Sequence, residues 1–152
     1  MTKLATISSK ASTNEKALST LSRAIRLSEG QFALILVRCN YKQLQAQVWS
    51  DYQGSDLVTA TVKEVWLSDA VTTLFTTLQV EIEPEPIAAL VVFGLESVQA
   101  LDQVLEATNQ VREEFRKHFD FPLVLWITDE VLQKLAKFAP DFKSWASASI
   151  KF

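Results

Sequence analysis

The chain has 152 residues and a net charge of −3, and 48% of its residues are apolar. This length is sufficient for one domain with a sizeable core, and the composition is that of an ordinary soluble globular protein. The acidic balance argues against a nucleic-acid surface, which is normally basic. Cys39 is the single cysteine, which excludes an internal disulfide and fits a reducing compartment.

The polar N-terminus shows no sign of export or membrane insertion. No apolar run approaches the roughly 18–20 residues of a membrane span, and the first ten residues, MTKLATISSK, lack the apolar core of a signal peptide. We therefore expect a cytoplasmic protein that binds neither membranes nor nucleic acids. Residues 1–12 are predicted to be a flexible terminus, and residues 13–152 a single α/β domain.

Apolar strand-like segments alternate with helical ones along the whole chain. The first helix is predicted to begin at Ser12, which forms a capping box with Glu15, and to stop at Gly30. Ser68 and Asp129 are predicted to cap two later helices, and Pro140 to end the second of them. Strands are predicted at 32–39, 57–66, 86–93, 121–128 and near 148–152, with further helices at 41–54, 69–80, 97–119 and 130–138.

This alternation predicts a three-layer α/β sandwich. A mostly parallel sheet of about five strands would be covered by helices on both faces, with right-handed crossovers. In such sheets ligands bind at the carboxyl ends of the strands, near the point where the strand order reverses. Functional residues are therefore sought in the segments 38–41, 93–97 and 128–129.

The loop after the first strand lacks the features of a nucleotide site. Its sequence, VRCNYKQLQ, contains no glycine, and the chain has no match to G-x-x-x-x-G-K-[ST]. Such loops need glycines because their backbone N–H groups approach phosphate closely. We expect a tight turn in which Lys42 is solvated. As an alternative, Arg38 could bind an anion at the strand end, assisted by the dipole of the next helix.

The end of the third strand lacks the acid that a magnesium site would require. Phe93 occupies that place, and an aromatic ring cannot coordinate a hard cation, which takes oxygen ligands. Glu96 could reach the same region, or it is a first-turn residue favoured by the helix dipole. Cys39 fits a core residue and His118 a solvated helix end, so we predict no catalytic set, metal or cofactor.

Aromatic residues near the C-terminus provide a different indication. Phe142 and Trp145 lie in the irregular segment APDFKSWAS. They either pack beneath the domain or form an aromatic contact surface for a following domain or a protein partner. They are the predicted interaction residues.

Three segments carry a resemblance to known proteins. LSRAIRLSEGQFALILVRCNYKQLQ, VVFGLES and PLVLWITDEVLQKLAKFAPDFKSWAS resemble the N-terminal region of large cyanobacterial proteins, in which this region precedes tetratricopeptide repeats or other signalling modules. The resemblance extends over about residues 17–152.

The element order also resembles the core of STAND-class P-loop NTPases. The magnesium-binding strand of that class resembles apolar-apolar-apolar-Asp-Gly-Leu-Asp. The segment LVVFGLES keeps Gly94 and Leu95 and has Glu96 at the second acid, but it departs at Phe93. Thr128 stands where the class has a polar sensor residue at a strand end.

The resemblance implies a P-loop-like domain that has lost hydrolysis. We therefore expect a non-catalytic interaction or scaffold domain of a signalling assembly. The alternative is a regulatory domain that binds a nucleotide or another anion without hydrolysis, through Arg38, Lys42, Glu96 and Thr128. A small α/β enzyme of unrecognised chemistry is a third hypothesis.

Overall fold

A five-stranded parallel sheet lies between two layers of helices in the computed structural model of the chain. The structure describes residues 2–55, 61–82 and 86–152, and the side chains from residue 14 onward within these ranges. The predicted fold class, a three-layer α/β sandwich, is confirmed. No helix in these ranges is long and apolar enough to cross a membrane.

The elements follow one another in regular alternation. The strands are β1 (Ala33–Arg38), β2 (Val62–Trp66), β3 (Ala89–Phe93), β4 (Pro122–Ile127) and β5 (Ala146–Lys151). The α-helices are α1 (Thr2–Leu27), α2 (Lys42–Gln53), α3 (Leu74–Glu81), α4 (Leu101–Gln110), α5 (Arg112–His118), α6 (Asp129–Phe138) and α7 (Pro140–Ser144). A short 3-10 helix, Leu95–Ser97, follows β3.

The strand order is β2-β3-β4-β1-β5, and all four pairings are parallel. Strands β3 and β4 are buried throughout, because helices cover both of their faces. One face packs against α1 and α2 through residues such as Val37, Phe93 and Trp126. The opposite face packs against α3 to α7 through residues such as Leu36 and Leu125.

The helices that follow β1 and β4 lie on opposite faces of the sheet. After β1 the chain crosses to the far edge strand β2, and after β4 it moves in the other direction to β5. Right-handed crossovers in opposite directions place their helices on opposite faces. Because β1 and β4 are neighbours, the strand order reverses between them, and the crevice that binds ligands in such folds lies at their carboxyl ends.

The predicted beginning of the first helix was wrong. Helix α1 begins at Thr2, so the backbone of Ser12 and Glu15 lies inside the helix and not at its start. Residues 2–12 accordingly have a helical backbone. The physical reason is that no glycine or proline occurs before Gly30, so nothing in the chain stops the helix from extending.

The helix predicted over 97–119 is divided into α4 and α5 at Val111. Val111, at the break, is 41% exposed. Side-chain donors compete for backbone carbonyls just before the break: Thr108 Oγ1 donates to Val104 O at 2.8 Å, and Arg112 Nη1 donates to Asn109 O at 2.7 Å. A threonine hydroxyl that bonds to the carbonyl four residues earlier, as that of Thr108 does, often bends a helix.

Two further predicted caps differ from the structure. Ser68 Oγ accepts from the N–H of Ala70 in a turn, while α3 begins later, at Leu74. Thr128, rather than Asp129, is the N-cap of α6, and its Oγ1 accepts from the N–H of Val131 at 3.2 Å. Pro140 lies just after α6, as predicted, and also begins α7. The predicted strand residues 57–60 lie outside the described residues.

Gly94 makes the sharp turn between β3 and the 3-10 helix. Its φ is +96°, and a Cβ at this position would lie 3.1 Å from the carbonyl oxygen of Leu67 and 3.3 Å from its nitrogen. The backbone of Leu67 is held there, because its N–H donates to Phe93 O at 2.9 Å. The turn therefore requires glycine both for its dihedral angle and for the close backbone approach.

We predict that Gly94→Ala lowers the free energy of unfolding by at least about 2 kcal/mol, because dihedral strain and a backbone clash act together. Gly30→Ala is the matched control: Gly30 has a φ of +76°, but a Cβ there would meet nothing within 4 Å. It should cost about 1 kcal/mol. Urea unfolding of both variants measures the difference, and equal losses would contradict the role given to Leu67.

Candidate functional site

The carboxyl ends of β1 and β4 are joined by a group of polar contacts around Asp129. Arg38 Nε and Nη2 both lie 2.9 Å from Asp129 Oδ1. Asn40 Nδ2 donates to Asp129 Oδ2 at 2.9 Å, and the N–H of Asp129 donates to Asn40 Oδ1 at 2.8 Å. We call this set of contacts among Arg38, Asn40 and Asp129 the Asp129 clasp.

The clasp holds Asp129 as a carboxylate. The hydrogen bond from Asn40, then that from Arg38, and the charges of Arg38 and Lys151 hold the pKa of the Asp129 carboxyl below its ordinary value, against partial desolvation. The Arg38 and Asp129 side chains are 30% and 36% exposed, so the pair lies at the surface of the crevice. The site where this fold class binds ligands is therefore occupied by the protein's own ion pair.

The turn after β1 has little room for a phosphate group. Only three residues, 39–41, separate β1 from α2. The N–H of Cys39 donates to Ile127 O at 2.8 Å, which ties the turn to β4, and the Cys39 side chain is buried. Lys42 is exposed at the beginning of α2. A loop that wraps a triphosphate would need more backbone than this turn contains.

Phe93 is fully buried in a group of rings on the α2 side of the sheet. Its ring centroid lies 4.4 Å from that of Trp66, in a stacked arrangement, and 5.3 Å from those of Trp49 and Trp126. We call Phe93 and these three tryptophans the aromatic cluster. It places apolar surface where a metal-binding acid was sought, and a cation there would have no oxygen ligand from the cluster.

The outer tryptophans of the cluster differ in exposure. Trp49 is 7% exposed, and its Nε1 donates to Glu64 Oε2 at 2.5 Å. Trp66, at the end of the edge strand β2, is 58% exposed although one face of its ring stacks on Phe93. A large apolar ring with fixed orientation therefore faces solvent at the carboxyl edge of the sheet.

Glu96 borders a separate cavity. It lies in the 3-10 helix and lines an open cavity of about 310 Å³ between α4 and α6, together with Asp102, Glu130 and Lys134. Lys134 Nζ lies 2.9 Å from Asp102 Oδ1, so the lysine is paired within the cavity. Arg38 and Lys42 do not line it. Within the described ranges, no group of three or more His, Cys, Asp or Glu side chains could hold a metal ion.

The four candidate residues are thus given different surroundings. Arg38 belongs to the Asp129 clasp, Thr128 caps α6, Lys42 is solvated and Glu96 lies at the cavity. Arg38 ends β1, and Thr128 directly follows Ile127, its partner residue in β4. The structure does not assemble the four into one binding site.

The two predicted interaction residues lie on the helical side of the core. Phe142 is fully buried, with its ring centroid 4.9 Å from that of Phe115, so its side chain cannot contact a partner in this fold. Trp145 is half-buried, and the guanidinium of Arg116 lies 4.0 Å from its ring centroid. Phe142 therefore packs beneath the domain, whereas part of the Trp145 side chain remains accessible to solvent.

Sequence reasoning placed Asn40 within the candidate segment 38–41 but did not single it out, and it did not find the exposure of Trp66. Asn40 and Asp129 each follow a buried strand, and that position was the available signal, but their pairing depends on β1 lying beside β4. Trp66 ends a strand that is rich in β-branched residues. Nothing in the sequence shows that this strand, β2, is the outermost strand of the sheet.

We predict that Phe93→Asp costs at least about 4 kcal/mol of the free energy of unfolding, because an unpaired carboxylate would be buried among the tryptophans. Phe93→Leu, the matched control, should cost about 1–2 kcal/mol. Urea unfolding with and without Mg²⁺ measures both effects. A Phe93→Asp variant as stable as Phe93→Leu, or one that Mg²⁺ stabilises, would show that position 93 can serve as a metal site.

Comparisons with protein-family models, curated proteins and solved structures found no match. The class of the protein therefore rests on its own architecture. It is a parallel three-layer α/β domain whose crevice is closed by an internal ion pair and whose sheet edge carries an exposed tryptophan.

Proposed function

We propose that the chain is a non-catalytic interaction domain that joins or regulates a larger signalling assembly. Its partner would be another protein or an adjacent domain of a longer chain. The resemblance to the N-terminal region of cyanobacterial signalling proteins and to a P-loop domain without its phosphate loop leads to this proposal. The carrying observation is the aromatic cluster at the end of β3.

The aromatic cluster supports a role in binding a protein partner rather than in catalysis. Phe93 is buried against three tryptophans, so the strand end that would offer a carboxylate offers packed rings. The Asp129 clasp occupies the neighbouring crevice. Among the residues that the structure describes, the carboxyl edge of the sheet thus presents neither a phosphate loop nor a group of acidic side chains that could hold a metal ion.

Trp66 has the properties of an interface anchor. Stacking on Phe93 fixes its ring, so little side-chain entropy would be lost when a partner covers it. Tryptophan is enriched among the residues that contribute most to protein interfaces. Tyr41, 70% exposed in the turn after β1, lies at the same carboxyl edge of the sheet. We assign this edge as the docking surface.

We expect Trp66→Ala to weaken partner binding by at least about tenfold, the loss expected for a central tryptophan. A photo-crosslinking residue at Ser68, which is exposed two residues beyond Trp66, would first capture the partner in cells that express the chain. Calorimetry with the purified partner then measures the affinity of each variant.

Leu27→Ala is the matched control for this experiment. Leu27 is 70% exposed. It ends α1 just before β1, so it lies near the amino ends of the strands, away from their carboxyl ends. It should leave the affinity unchanged. Equal affinities of Trp66→Ala and the unaltered protein would contradict the assigned surface, and the absence of any specific crosslink from Ser68 would contradict the docking role itself.

The second candidate function is a regulatory domain that binds a nucleotide or another anion without hydrolysis. The exposed position of Lys42 at the beginning of α2 favours it, since a helix N-terminus attracts anions. Arg38 lies at the preceding strand end, and Glu96 and Thr128 at neighbouring ones.

Calorimetry with ATP, ADP and GTP, with and without Mg²⁺, separates the two functions. We expect no saturable binding by the unaltered protein, because the clasp engages Arg38 and the turn before α2 is short. Micromolar binding that is removed by Lys42→Ala or Arg38→Ala would instead establish the regulatory domain. Turnover of any nucleotide that is lost with Glu96→Gln would establish an enzyme.

A further inference from the structure

Two cationic side chains occupy paired positions beside Asp129. In the register of β1 and β5, Arg38 lies opposite Lys151. Paired residues of neighbouring strands project from the same face of a sheet. Leu36, two residues before Arg38, faces the helical layer that contains α6, so both cations are on the side where α6 begins with Asp129.

The Asp129 carboxylate is placed among these groups as a bound oxyanion would be. One oxygen receives the guanidinium of Arg38, and the other receives the amide of Asn40. Lys151 contributes its charge without a direct contact. A guanidinium, an amide donor and a second cation around one small anion are the groups that recognise phosphate-type oxyanions.

We propose that Asp129 is an autoinhibitory carboxylate, which fills an oxyanion-binding position formed by Arg38, Asn40 and Lys151. The inference is independent of the docking function, because it concerns residues other than Trp66 and is tested by anion binding rather than by partner affinity. Removing Asp129 leaves two neighbouring cations without a shared counter-ion, and an external oxyanion relieves their repulsion.

The intact protein resists such an anion for a quantitative reason. A carboxylate fixed in the same chain competes at an effective concentration of at least millimolar order. An external phosphate therefore has to displace a group that is always present and already in contact. Occupancy should follow only when the Asp129 carboxylate is removed.

The experiment compares pyrophosphate binding by the unaltered protein, Asp129→Ala and Asp129→Asn. Calorimetry is performed without Mg²⁺, and sodium chloride keeps the ionic strength constant. Both variants should bind at least about tenfold more tightly than the unaltered protein. Asp129→Asn removes the charge but keeps the size of the side chain. Asp129→Ala removes both the charge and most of the side chain.

Asp102→Ala is the matched control. Asp102 is another half-exposed carboxylate, it also pairs with a cation at 2.9 Å, and its partner is Lys134 on α6. Removing Asp102 leaves Lys134 without its partner, but it does not leave a pair of cations on neighbouring strands. No gain in pyrophosphate affinity is therefore expected. Adding Arg38→Gln to Asp129→Ala should abolish the gain.

The proposal is overturned by no gain in either Asp129 variant, by an equal gain in Asp102→Ala, by a gain that survives Arg38→Gln, or by equally tight binding in the unaltered protein. If a variant is unfolded at 25 °C, pyrophosphate should restore its near-UV circular dichroism, and failure to do so also overturns the proposal. The docking function is tested separately, by the partner affinities of Trp66→Ala and Leu27→Ala.

Discussion

The parallel pairing of β1 with β4 is the contact on which the rest of the molecule depends. It joins residues that are far apart in the chain, and it brings Arg38 within 2.9 Å of Asp129, 91 positions later. Because the helices after these two strands lie on opposite faces, the same pairing creates the crevice and divides the core into two layers.

The side chains at the carboxyl edge of the sheet differ between the strands β1 and β4 and the strands β2 and β3. Around β1 and β4, charged groups satisfy one another in the Asp129 clasp. Around β2 and β3, packed rings exclude water from Phe93 and leave Trp66 facing solvent. The edge that receives ligands in parallel α/β sheets here carries paired charges around β1 and β4 and aromatic rings around β2 and β3. This arrangement is the physical basis of the proposed docking role.

The alternation of apolar and helical segments predicted the fold class and the approximate strand positions, because burial on both faces requires continuous apolar strands such as ALVVF. Helix ends were predicted less well. Glycines and prolines marked stops such as Pro140, but the division at Val111 and the cap at Thr128 depend on side-chain hydrogen bonds that leave little trace in the sequence. The structure places Arg38 and Thr128 at the carboxyl ends of β1 and β4, where functional residues were sought, whereas Glu96 lines a separate cavity.

The sequence by itself determined which groups the chain offers: a strand end with Phe93 in place of an acid, a β1–α2 turn without glycine, and a cation in Arg38. Only the tertiary structure decided what these groups meet. Strand order is set by packing between distant segments, so neither the pairing of Arg38 with Asp129 nor the exposure of Trp66 at an edge can be obtained from local sequence patterns.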